Sequence, residues 1–480
     1  MTNYLNKYRI DLILFIVAVS FFRLYVASHE GLGVDEAHYV LYGIHLDWSY
    51  FDHPPLVGWT QRLSSSIFGV NDLAARIPAV AIGAIVDFFI YDLIYKISKD
   101  TYIAFMALLA ISASFIFNAL FLMLLPETLL LFFVIPIIYT VIKIEQDNRT
   151  RYWIILGLLL GLSGLAGYTA IFFVVAILLY MIIKRRWDLL LNKNLITAAV
   201  IAFIMITPIL YWNIKHNWIS FTYQSHHVMI AKHIHLGRFF KSMLVQFGAY
   251  NPLLFPLSFY GLYKALRSKN DYLFLSGLFG LLIIGFFLYA SLYKTALPHW
   301  SALYYLLFIP IGTYYILQLS SGYKKYLKIA IWFGLILSAV VYIELATKII
   351  PFPNYKSPLR DLSGWPMIMK NANKLITDKN KNAIAVTNWT IASRTMYYDR
   401  KYKTNVYLLG KGITQFTFWM KGSPMGKNLI VINTHFFHKD VSTYMKCTKV
   451  IKHPVFYIKV AGHIVNSVQF VTCKDYQGLK

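Results

Sequence analysis

Charged residues are scarce in this sequence. Only 14% of its 480 residues are Asp, Glu, Lys or Arg, whereas a soluble globular domain has about a quarter. Acidic residues are scarcer than basic ones, at 21 against 46. Just two cysteines are present. No P-loop, Rossmann glycine pattern or Cys-x-x-Cys motif occurs, so no local motif supports the use of ATP, NAD or a soluble nucleotide sugar.

Apolar residues make up 58% of the chain, and the mean hydropathy is +0.54. Runs of about twenty such residues recur, and each is long enough to cross a hydrocarbon core of about 30 Å. The pattern predicts a polytopic α-helical membrane protein with about eleven spans. The predicted spans are 10–28, 73–95, 101–122, 127–143, 152–166, 168–183, 195–213, 243–263, 272–292, 300–319 and 327–347.

The formal net charge of +25 does not indicate nucleic-acid binding, because the basic residues cluster in short loops on one side of the predicted spans. Basic loops face the cytoplasm, where anionic membrane lipids are the expected partner. The clusters are Lys7 and Arg9, Lys96 and Lys99, Lys143 to Arg151, Lys184 to Arg186, Lys264 to Lys269, and Lys324 to Lys328. The N-terminus is therefore predicted to be cytoplasmic. Residues 29–72, 123–128, 214–242, 293–299 and 348–480 are predicted to face the periplasm.

Residues 348–480 differ in character from the rest. Short β-branched runs such as AIAVT (383–387) and LIVIN (429–433) alternate with Gly, Asn and Pro, which favours a small α/β or α+β domain. We expect a transmembrane domain at 1–347 and a soluble domain at 348–480. Both cysteines, Cys447 and Cys473, lie in the soluble part. An oxidising compartment favours a disulfide between them, and two separate buried thiols are the alternative.

The scarce acids concentrate in one short stretch, GLGVDEAHYVLYGIHLDWSYFDHPPLVGW (31–59). It contains Asp35, Glu36, Asp47 and Asp52 among Tyr and Trp residues, which prefer the membrane interface. A desolvated carboxylate at a membrane boundary is costly and is usually functional. The Pro54-Pro55 pair stiffens the return of the chain toward the next span. The stretch therefore predicts an acidic functional surface outside the membrane.

This stretch, from Asp35 to Trp59, resembles the first-loop signature of bacterial membrane glycosyltransferases with the GT-C fold. The resemblance is to the branch related to dolichyl-phosphate-mannose-protein mannosyltransferases and to the lipid A aminoarabinose transferase. It continues through ARIPAVAIG (75–83), PETLLLFF (126–133), SFTYQSHH (220–227), KTALPHWSALYY (294–305) and SPLRDLSGW (357–365). The resemblance implies a GT-C fold and inverting transfer of a sugar from a polyprenyl phosphate on the periplasmic side.

The resemblance also implies catalytic roles. Asp35 matches the family's first-loop aspartate and would be the general base, with Glu36 supporting or orienting it. A carboxylate near apolar surface can act as such a base; a helix cap or ion pair is the alternative role for Glu36. Glu127 replaces a more common Asp in the PETLL motif and would place Asp35 or the acceptor. A simple acid at a helix N-terminus is its alternative role.

A divalent metal ion (Zn, Mg or Mn) is a further expectation from the resemblance. Asp52 stands where the aminoarabinose branch carries a metal-coordinating acid, and a histidine of the 214–242 loop would be its partner. Spacing to the SFTYQ motif favours His227, with His226 adjacent. No established zinc-type spacing is present, so ordinary hydrogen-bonding histidines are the alternative.

Cations on the periplasmic side are expected to bind the donor phosphate. Lys294 has the best match to the family, and Arg62 and Arg238 are further candidates. His299, His53 and Tyr168 complete the predicted donor-binding group. Relatives often carry a lysine before the Tyr-Thr of GYTAIFF, where this chain has Gly167, so another cation substitutes or donor binding differs.

The sequence thus predicts an inner-membrane enzyme that moves a sugar from undecaprenyl phosphate to lipid A, lipopolysaccharide or another envelope glycolipid. Protein O-mannosyltransfer is the enzymatic alternative, and the lack of an inserted β-trefoil segment favours the glycolipid. A lipid or solute transporter is the non-enzymatic alternative. The acids cluster at one interface rather than at the midplane, where a transporter site is expected.

Overall fold

A computed structural model describes residues 10–229, 233–410 and 412–480, with the backbone alone for 226–229. The side chains of His226 and His227 therefore lie outside the described part. The chain divides into two compact units. Within the described residues, the first unit comprises 10–25, 47–60 and 76–341, and the second comprises 26–46, 61–75 and 342–480.

The structure is mostly α-helical. The helices, numbered here in chain order, are α1 Ile10–His29, α2 Val34–Ile44, α3 Leu56–Phe68, α4 Asp72–Ser98, α5 Thr101–Ser112, α6 Phe115–Leu120, α7 Pro126–Asp147, α8 Thr150–Ala166, α9 Ile171–Ile183, α10 Trp187–Leu190, α11 Lys193–Lys215, α12 Ile219–Met229, α13 Leu236–Ala249, α14 Phe255–Leu266, α15 Asp271–Ser291, α16 Ala302–Ile316, α17 Ser321–Thr347, α18 Trp365–Lys374, α19 Trp389–Asp399, α20 Gln415–Trp419 and α21 Val441–Tyr444. Short 3-10 helices occur at Tyr168–Ala170, Pro298–Ser301 and Pro358–Asp361.

Six helices within the described residues are long and apolar enough to cross a membrane: α1, α4, α7, α11, α15 and α17. Shorter apolar helices occur at Thr101–Ser112, Thr150–Ala166 and Tyr168–Ile183. This is a multi-pass membrane protein, as expected. The total of about eleven spans stays a prediction.

Two of the predicted spans are interrupted helices. The helix in the predicted span 101–122 ends at Ser112 and restarts at Phe115, while the one in 243–263 breaks after Ala249. At the second break Asn251 has a left-handed φ of +66°. Its side-chain amide donates to the carbonyl of Ala113 at 3.1 Å and of Ala330 at 2.9 Å. Each break frees backbone carbonyls that lack helical partners, and Asn251 satisfies one of them.

Glycines bring α8 and α11 close together. A Cβ at Gly161 would lie 2.4 Å from the Cβ of Met205, and one at Gly157 would lie 2.6 Å from the carbonyl of Ala198. Small residues four positions apart are typical of tightly packed membrane helices, because they let the backbones approach. The Gly-rich sequence of α8 is therefore a packing surface.

A buried ion pair joins α1 to α4 within the first unit. The Arg23 guanidinium donates to the Asp87 carboxylate at 3.0 Å, and both side chains are buried. Arg23 also lies over the Phe121 ring, 4.9 Å from its centroid. Charges inside a membrane protein are costly unless they are paired, so each of these residues needs the other. The sequence analysis did not identify this pair.

The second unit contains a six-stranded mixed sheet in the order β2-β1-β3-β6-β4, with β5 also pairing with β6. Its strands are β1 Asn382–Val386, β2 Val406–Leu408, β3 Asn428–Thr434, β4 Met445–Lys452, β5 Phe456–Val460 and β6 His463–Leu479. β1 pairs in parallel with β2 and β3, whereas β6 is antiparallel to β3, β4 and β5. All five residues of β1 are buried, as expected for a strand covered on both faces. The predicted sheet-containing domain is confirmed.

The disulfide between Cys447 and Cys473 is present, with a Cα–Cα distance of 5.4 Å. It joins β4 to β6 and lies beside the sheet core formed by Ala385, Leu429 and Val431. Of the two possibilities left open by the sequence, the structure therefore contains the bridge.

Candidate active site

The first turn of α2 carries the two adjacent acids of the opening stretch. Gly33 is the N-cap, and its N–H donates to the Glu36 carboxylate at 2.9 Å. Glu36 is buried, with 2% of its surface exposed, whereas Asp35 is half-buried. Negative charge is stabilised at a helix N-terminus by the backbone dipoles. The structure thus gives Glu36 the capping role and leaves Asp35 as the more accessible carboxylate.

Aromatic rings from the second unit surround the rest of α2. The His38 ring lies 5.8 Å from Trp389 and 5.4 Å from Phe416, and His45 stacks on Trp419 at 5.1 Å. Burial, and secondarily the positive charge of Lys421, lowers the pKa of His45. The helix that carries Asp35 is therefore held in a largely apolar shell. Neither Trp389 nor Trp419 was identified from the sequence.

In the first unit, the segment after α2 is anchored by the SFTYQ motif and by α11. Trp212 donates through its indole N–H to the Asp47 carboxylate at 2.9 Å. Ser220 donates to the Tyr50 carbonyl at 2.9 Å, and Gln224 donates to the Asp52 carbonyl at 2.6 Å. This motif therefore fixes the backbone of the Tyr-Phe-Asp sequence. Asp47, one of the acids of the opening stretch, holds Trp212.

Asp52 and Tyr168, both predicted from the sequence, come together in this unit. The Tyr168 hydroxyl lies beside Ser49, Asn213 and Ser220, near the Asp52 carboxylate. Burial, and secondarily the negative charge of Asp52, raises the pKa of Tyr223 to about 12. Tyr223 was missed, although its place in SFTYQ next to Gln224 was a usable signal. Half-buried His53 follows Asp52 directly.

The expected metal site is only partly described. Among the side chains that the structure describes, no group of three or more His, Cys, Asp or Glu residues is arranged to hold a metal ion. Asp52 therefore has no complete set of ligands within those residues, and the proposed partners His226 and His227 fall outside them.

Glu127, half-buried in the first turn of α7, is linked to the ALPHW motif through one tyrosine. Its carboxylate is close enough to interact electrostatically with Tyr250, and the Tyr250 hydroxyl donates to the Pro298 carbonyl at 2.6 Å. Ser301 donates to the Gln246 side chain at 2.9 Å. Gln246 and Tyr250 thus position this motif, and sequence reasoning missed both because they lie in and directly after a separate helix, α13.

Two of the three predicted cations meet at the 293–299 loop. Lys294 is half-buried, burial lowers its pKa, and its ammonium lies 5.8 Å from the centroid of Trp300. Arg238 donates to the neighbouring Tyr293 carbonyl at 2.5 Å. His299 lies in the 3-10 turn that follows. Arg62 is exposed and belongs to the second unit.

An apolar cavity of about 380 Å³ lies among α8, α9 and α11. Tyr168 and Phe221 line it together with aliphatic residues such as Leu160 and Ile206. Because Tyr168 also lies near Asp52, the cavity reaches the polar group described above. Gly167, where relatives often carry lysine, is another of its lining residues.

This chain is similar to a known protein family and to a solved structure. Residues 52–212 match the family described as dolichyl-phosphate-mannose-protein mannosyltransferase. The chain superposes on ArnT from Cupriavidus metallidurans bound to undecaprenyl phosphate, with a TM-score of 0.67 and 13% identity over 96% of this chain and 97% of that one. The protein has the GT-C fold. The apo form of the same ArnT gives a TM-score of 0.66 at 12% identity, with the same coverage of both chains.

A curated relative also matches. The lipid A galacturonosyltransferase RgtD of Rhizobium johnstonii is 25% identical over 254 residues. That alignment covers 50% of this chain, and the chain spans about half the length of the relative. Together, these matches confirm the resemblance to GT-C membrane glycosyltransferases. The family match includes Asp52, His53, Arg62, Glu127 and Tyr168, whereas Asp35 lies before it.

Proposed function

We propose that this protein is an inner-membrane glycosyltransferase that moves a sugar from undecaprenyl phosphate to lipid A or a related glycolipid. The observation that carries the proposal is the match to ArnT over almost the entire chain, and the similarity to RgtD favours lipid A as the acceptor. In this proposal residues 1–347 form the membrane domain and 348–480 a periplasmic domain. The distribution of basic loops supports a cytoplasmic N-terminus.

Asp35 is the general base of the proposed reaction. Its carboxylate removes the proton from the acceptor hydroxyl while that oxygen bonds to the anomeric carbon of the donor. The bond between the anomeric carbon and the lipid phosphate oxygen breaks, and polyprenyl phosphate leaves with the electron pair. A single displacement inverts the anomeric centre, and the proton remains on Asp35 until solvent removes it. The capped first turn of α2 supports this role by holding the backbone of Asp35.

Lys294 is the principal cation for the donor phosphate. An ammonium group that is partly shielded from water binds an anion more strongly than an exposed one, and Lys294 is half-buried. Arg238, His299, His53 and Tyr168 are further donor-binding candidates of the same unit, and Arg62 is a candidate of the other. The apolar cavity beside Tyr168 is the proposed binding site for the first isoprene units of the lipid.

A divalent ion bound by Asp52, together with His227 or His226, remains a separate proposal. Carboxylate and imidazole are suitable ligands for such an ion, which would neutralise charge on the leaving phosphate. Purified protein dialysed against a chelator tests this through its metal content and donor affinity. Unchanged donor affinity in metal-free protein would remove the ion from the proposal.

The test of the function is a transfer assay in detergent with labelled undecaprenyl-phosphate sugars and lipid A. Mass spectrometry should detect the modified lipid A and released undecaprenyl phosphate. Asp35→Asn should lower the rate by about 10²-fold to 10⁴-fold. Glu36→Gln is the matched control, because a glutamine oxygen can still accept the Gly33 N–H and the rate should stay within about threefold.

The family match of residues 52–212 favours a protein acceptor as the second candidate. The same assay with a serine- and threonine-rich peptide in place of lipid A separates the two. Modified peptide without modified lipid A would establish protein O-glycosylation instead. Movement of substrate across liposomes with no released polyprenyl phosphate would exclude both and indicate a transporter.

A further inference from the structure

The Gly-Leu-Gly turn before α2 is held by one tyrosine of α19. The N–H of Leu32 donates to the Tyr398 hydroxyl at 2.8 Å, although the two residues are 366 positions apart. The same hydroxyl donates to the Asp72 carboxylate at 3.0 Å. A hydroxyl can donate one hydrogen and accept others, so Tyr398 joins Leu32 and Asp72 at the same time. Leu32 is three residues before Asp35.

Gly31 allows the turn to pack closely within the second unit. A Cβ at Gly31 would lie 2.4 Å from the carbonyl oxygen of Leu362 and 3.0 Å from the Tyr398 hydroxyl. Backbone as close to a second backbone as Gly31 is to Leu362 requires glycine. A Cβ at Gly33 would make only ordinary contact with the Leu362 side chain, at 3.5 Å. Leu362 and Tyr398 are therefore the two contacts that fix where the turn lies.

Leu362 belongs to the SPLRDLSGW motif, to which the proposed reaction assigns no role. Arg394 fixes that motif by donating to the Asp361 carbonyl at 2.7 Å and to its carboxylate at 3.1 Å. The Arg394 guanidinium also lies 4.5 Å from the centroid of Trp365, and its side chain is buried. Arg394 and Tyr398 are four residues apart on α19, so they lie on the same helix face. One face of α19 thus holds both the motif and the turn.

Two adjacent tyrosines, Tyr397 and Tyr398, bond to Asp72, so one can serve as a control for the other. Asp72 lies in the first turn of α4, where a carboxylate is stabilised by the helix dipole. It accepts hydrogen bonds from Tyr397 at 2.6 Å and from Tyr398 at 3.0 Å. Both tyrosines are buried, at 0% and 7% exposed. The two tyrosines differ in their link to the turn, because the Leu32 N–H donates its hydrogen bond to Tyr398.

We propose that Tyr398 is a positioning residue for Asp35, and this inference rests on the proposed function. Its hydroxyl fixes the Leu32 amide, and thereby sets the approach of the chain to the first turn of α2. A general base must lie within hydrogen-bond reach of the proton that it removes, and a displacement of about 1 Å can cost 10²-fold in rate. Tyr398 does not itself touch the reacting atoms.

The experiment compares Tyr398→Phe with Tyr397→Phe in the full-length protein. Each variant loses one hydroxyl and one hydrogen bond to Asp72. Tyr398→Phe also loses the bond from the Leu32 N–H, so its melting temperature should fall further, by the effect of about one hydrogen bond. Tyr398→Phe should lower kcat on the order of tenfold with unchanged KM for the donor, because the interaction acts on the chemical step. Tyr397→Phe should keep kcat within about twofold.

Hydrogen exchange gives a readout that does not depend on activity. Amide hydrogens exchange faster when their bonding partner is removed, so a peptide that contains Leu32 should exchange faster in Tyr398→Phe than in wild type. The same peptide should be unchanged in Tyr397→Phe. Equal losses of kcat in both variants, or unchanged exchange at Leu32 in Tyr398→Phe, would overturn the positioning role.

The two proposals fail in different ways. If the wild-type protein transfers no sugar, the proposed function is wrong, and the exchange comparison still decides whether Tyr398 holds the turn. If wild type is active and Asp35→Asn is not, while the two tyrosine variants behave alike in kcat, the function stands and the positioning role is wrong.

Discussion

The side-chain amide of Gln224 donates a hydrogen bond to the backbone carbonyl of Asp52 at 2.6 Å, across 172 positions of sequence. A bond to the backbone carbonyl fixes the residue itself and does not involve its carboxylate. Ser220, one helical turn earlier in α12, holds the Tyr50 carbonyl in the same way. Helix α12 therefore determines the path of the chain from Tyr50 to Asp52.

The first prediction follows from this bond. Gln224→Ala should lower the transfer rate about fivefold, because a typical hydrogen bond contributes about 1 kcal/mol and Asp52 loses its fixed backbone. Ser225→Ala is the control, since the Ser225 hydroxyl bonds to Thr222 of its own helix and is exposed. Rates measured in detergent at equal protein levels check this. Equal rates in the two variants would contradict it.

A second prediction concerns Lys294 and pH. Burial lowers the pKa of Lys294 from the ordinary value of 10.5, so the ammonium form that binds phosphate is lost at a lower pH than for an exposed lysine. The KM for the donor should therefore rise as the pH increases toward the lowered pKa of Lys294. Lys294→Ala should raise that KM by about tenfold or more and abolish its alkaline rise.

The control for Lys294 is Lys241→Ala, which removes an exposed cation from α13 of the same unit. Its donor KM should follow that of wild type within about twofold at every pH. Initial rates at several donor concentrations between pH 7 and pH 10 give the measurement. If both lysine variants change the donor KM equally, Lys294 has no specific role in phosphate binding.

The third prediction is a pH dependence of stability from Asp399. Burial raises the pKa of this carboxyl from 3.8 to about 6, despite hydrogen bonds from Asn373 and from the Thr404 N–H. The folded protein binds the proton more tightly than the unfolded chain, so this group adds stability as the pH falls from about 6 toward about 4.

Asp399→Asn removes the titration. Between pH 7 and pH 5, wild type should therefore gain about 1 kcal/mol of stability relative to this variant. Thermal unfolding of both proteins in detergent across that range provides the comparison, and other titrating groups cancel in the difference. A constant difference between the two curves would show that Asp399 is not the titrating group.

The fourth prediction concerns the bridge between Cys447 and Cys473, which encloses 26 positions of sequence. Closing a loop of this length stabilises a protein by about 3 kcal/mol, mainly by restricting the unfolded chain. The double variant Cys447→Ala/Cys473→Ala should therefore be less stable than wild type by about this amount. Reductant should destabilise wild type and leave the double variant unchanged. Identical responses to reductant would exclude the bridge.

The sequence predicted the parts that depend on local composition. The apolar runs predicted the helices at 10–29 and 126–147, because a span must satisfy its own backbone hydrogen bonds. The β-branched runs identified β1 and β3, because β-branched side chains pack well on a pleated sheet. Asp35 and Asp52 were singled out because acids are costly beside a membrane, and their proposed roles come from the resemblance to the family.

The remaining features depend on contacts between distant segments. Asn251 interrupts a predicted span. The hydrogen bonds that stabilise this break go to the Ala113 and Ala330 carbonyls, which are distant in sequence. Tyr398 looks like any tyrosine of an amphipathic helix, and its role follows from Leu32 and Asp72. Such partners are set by tertiary packing, which no local pattern specifies.

Strand β6 has a consequence for the order in which the molecule becomes complete. It pairs with β3, β4 and β5. Because β6 follows all three in the chain, these strands cannot complete their pairing until β6 has been synthesised. Asp35 belongs to the same unit and is among the first residues made. The surroundings of Asp35 within this unit are therefore complete only after β6 has been synthesised and has paired.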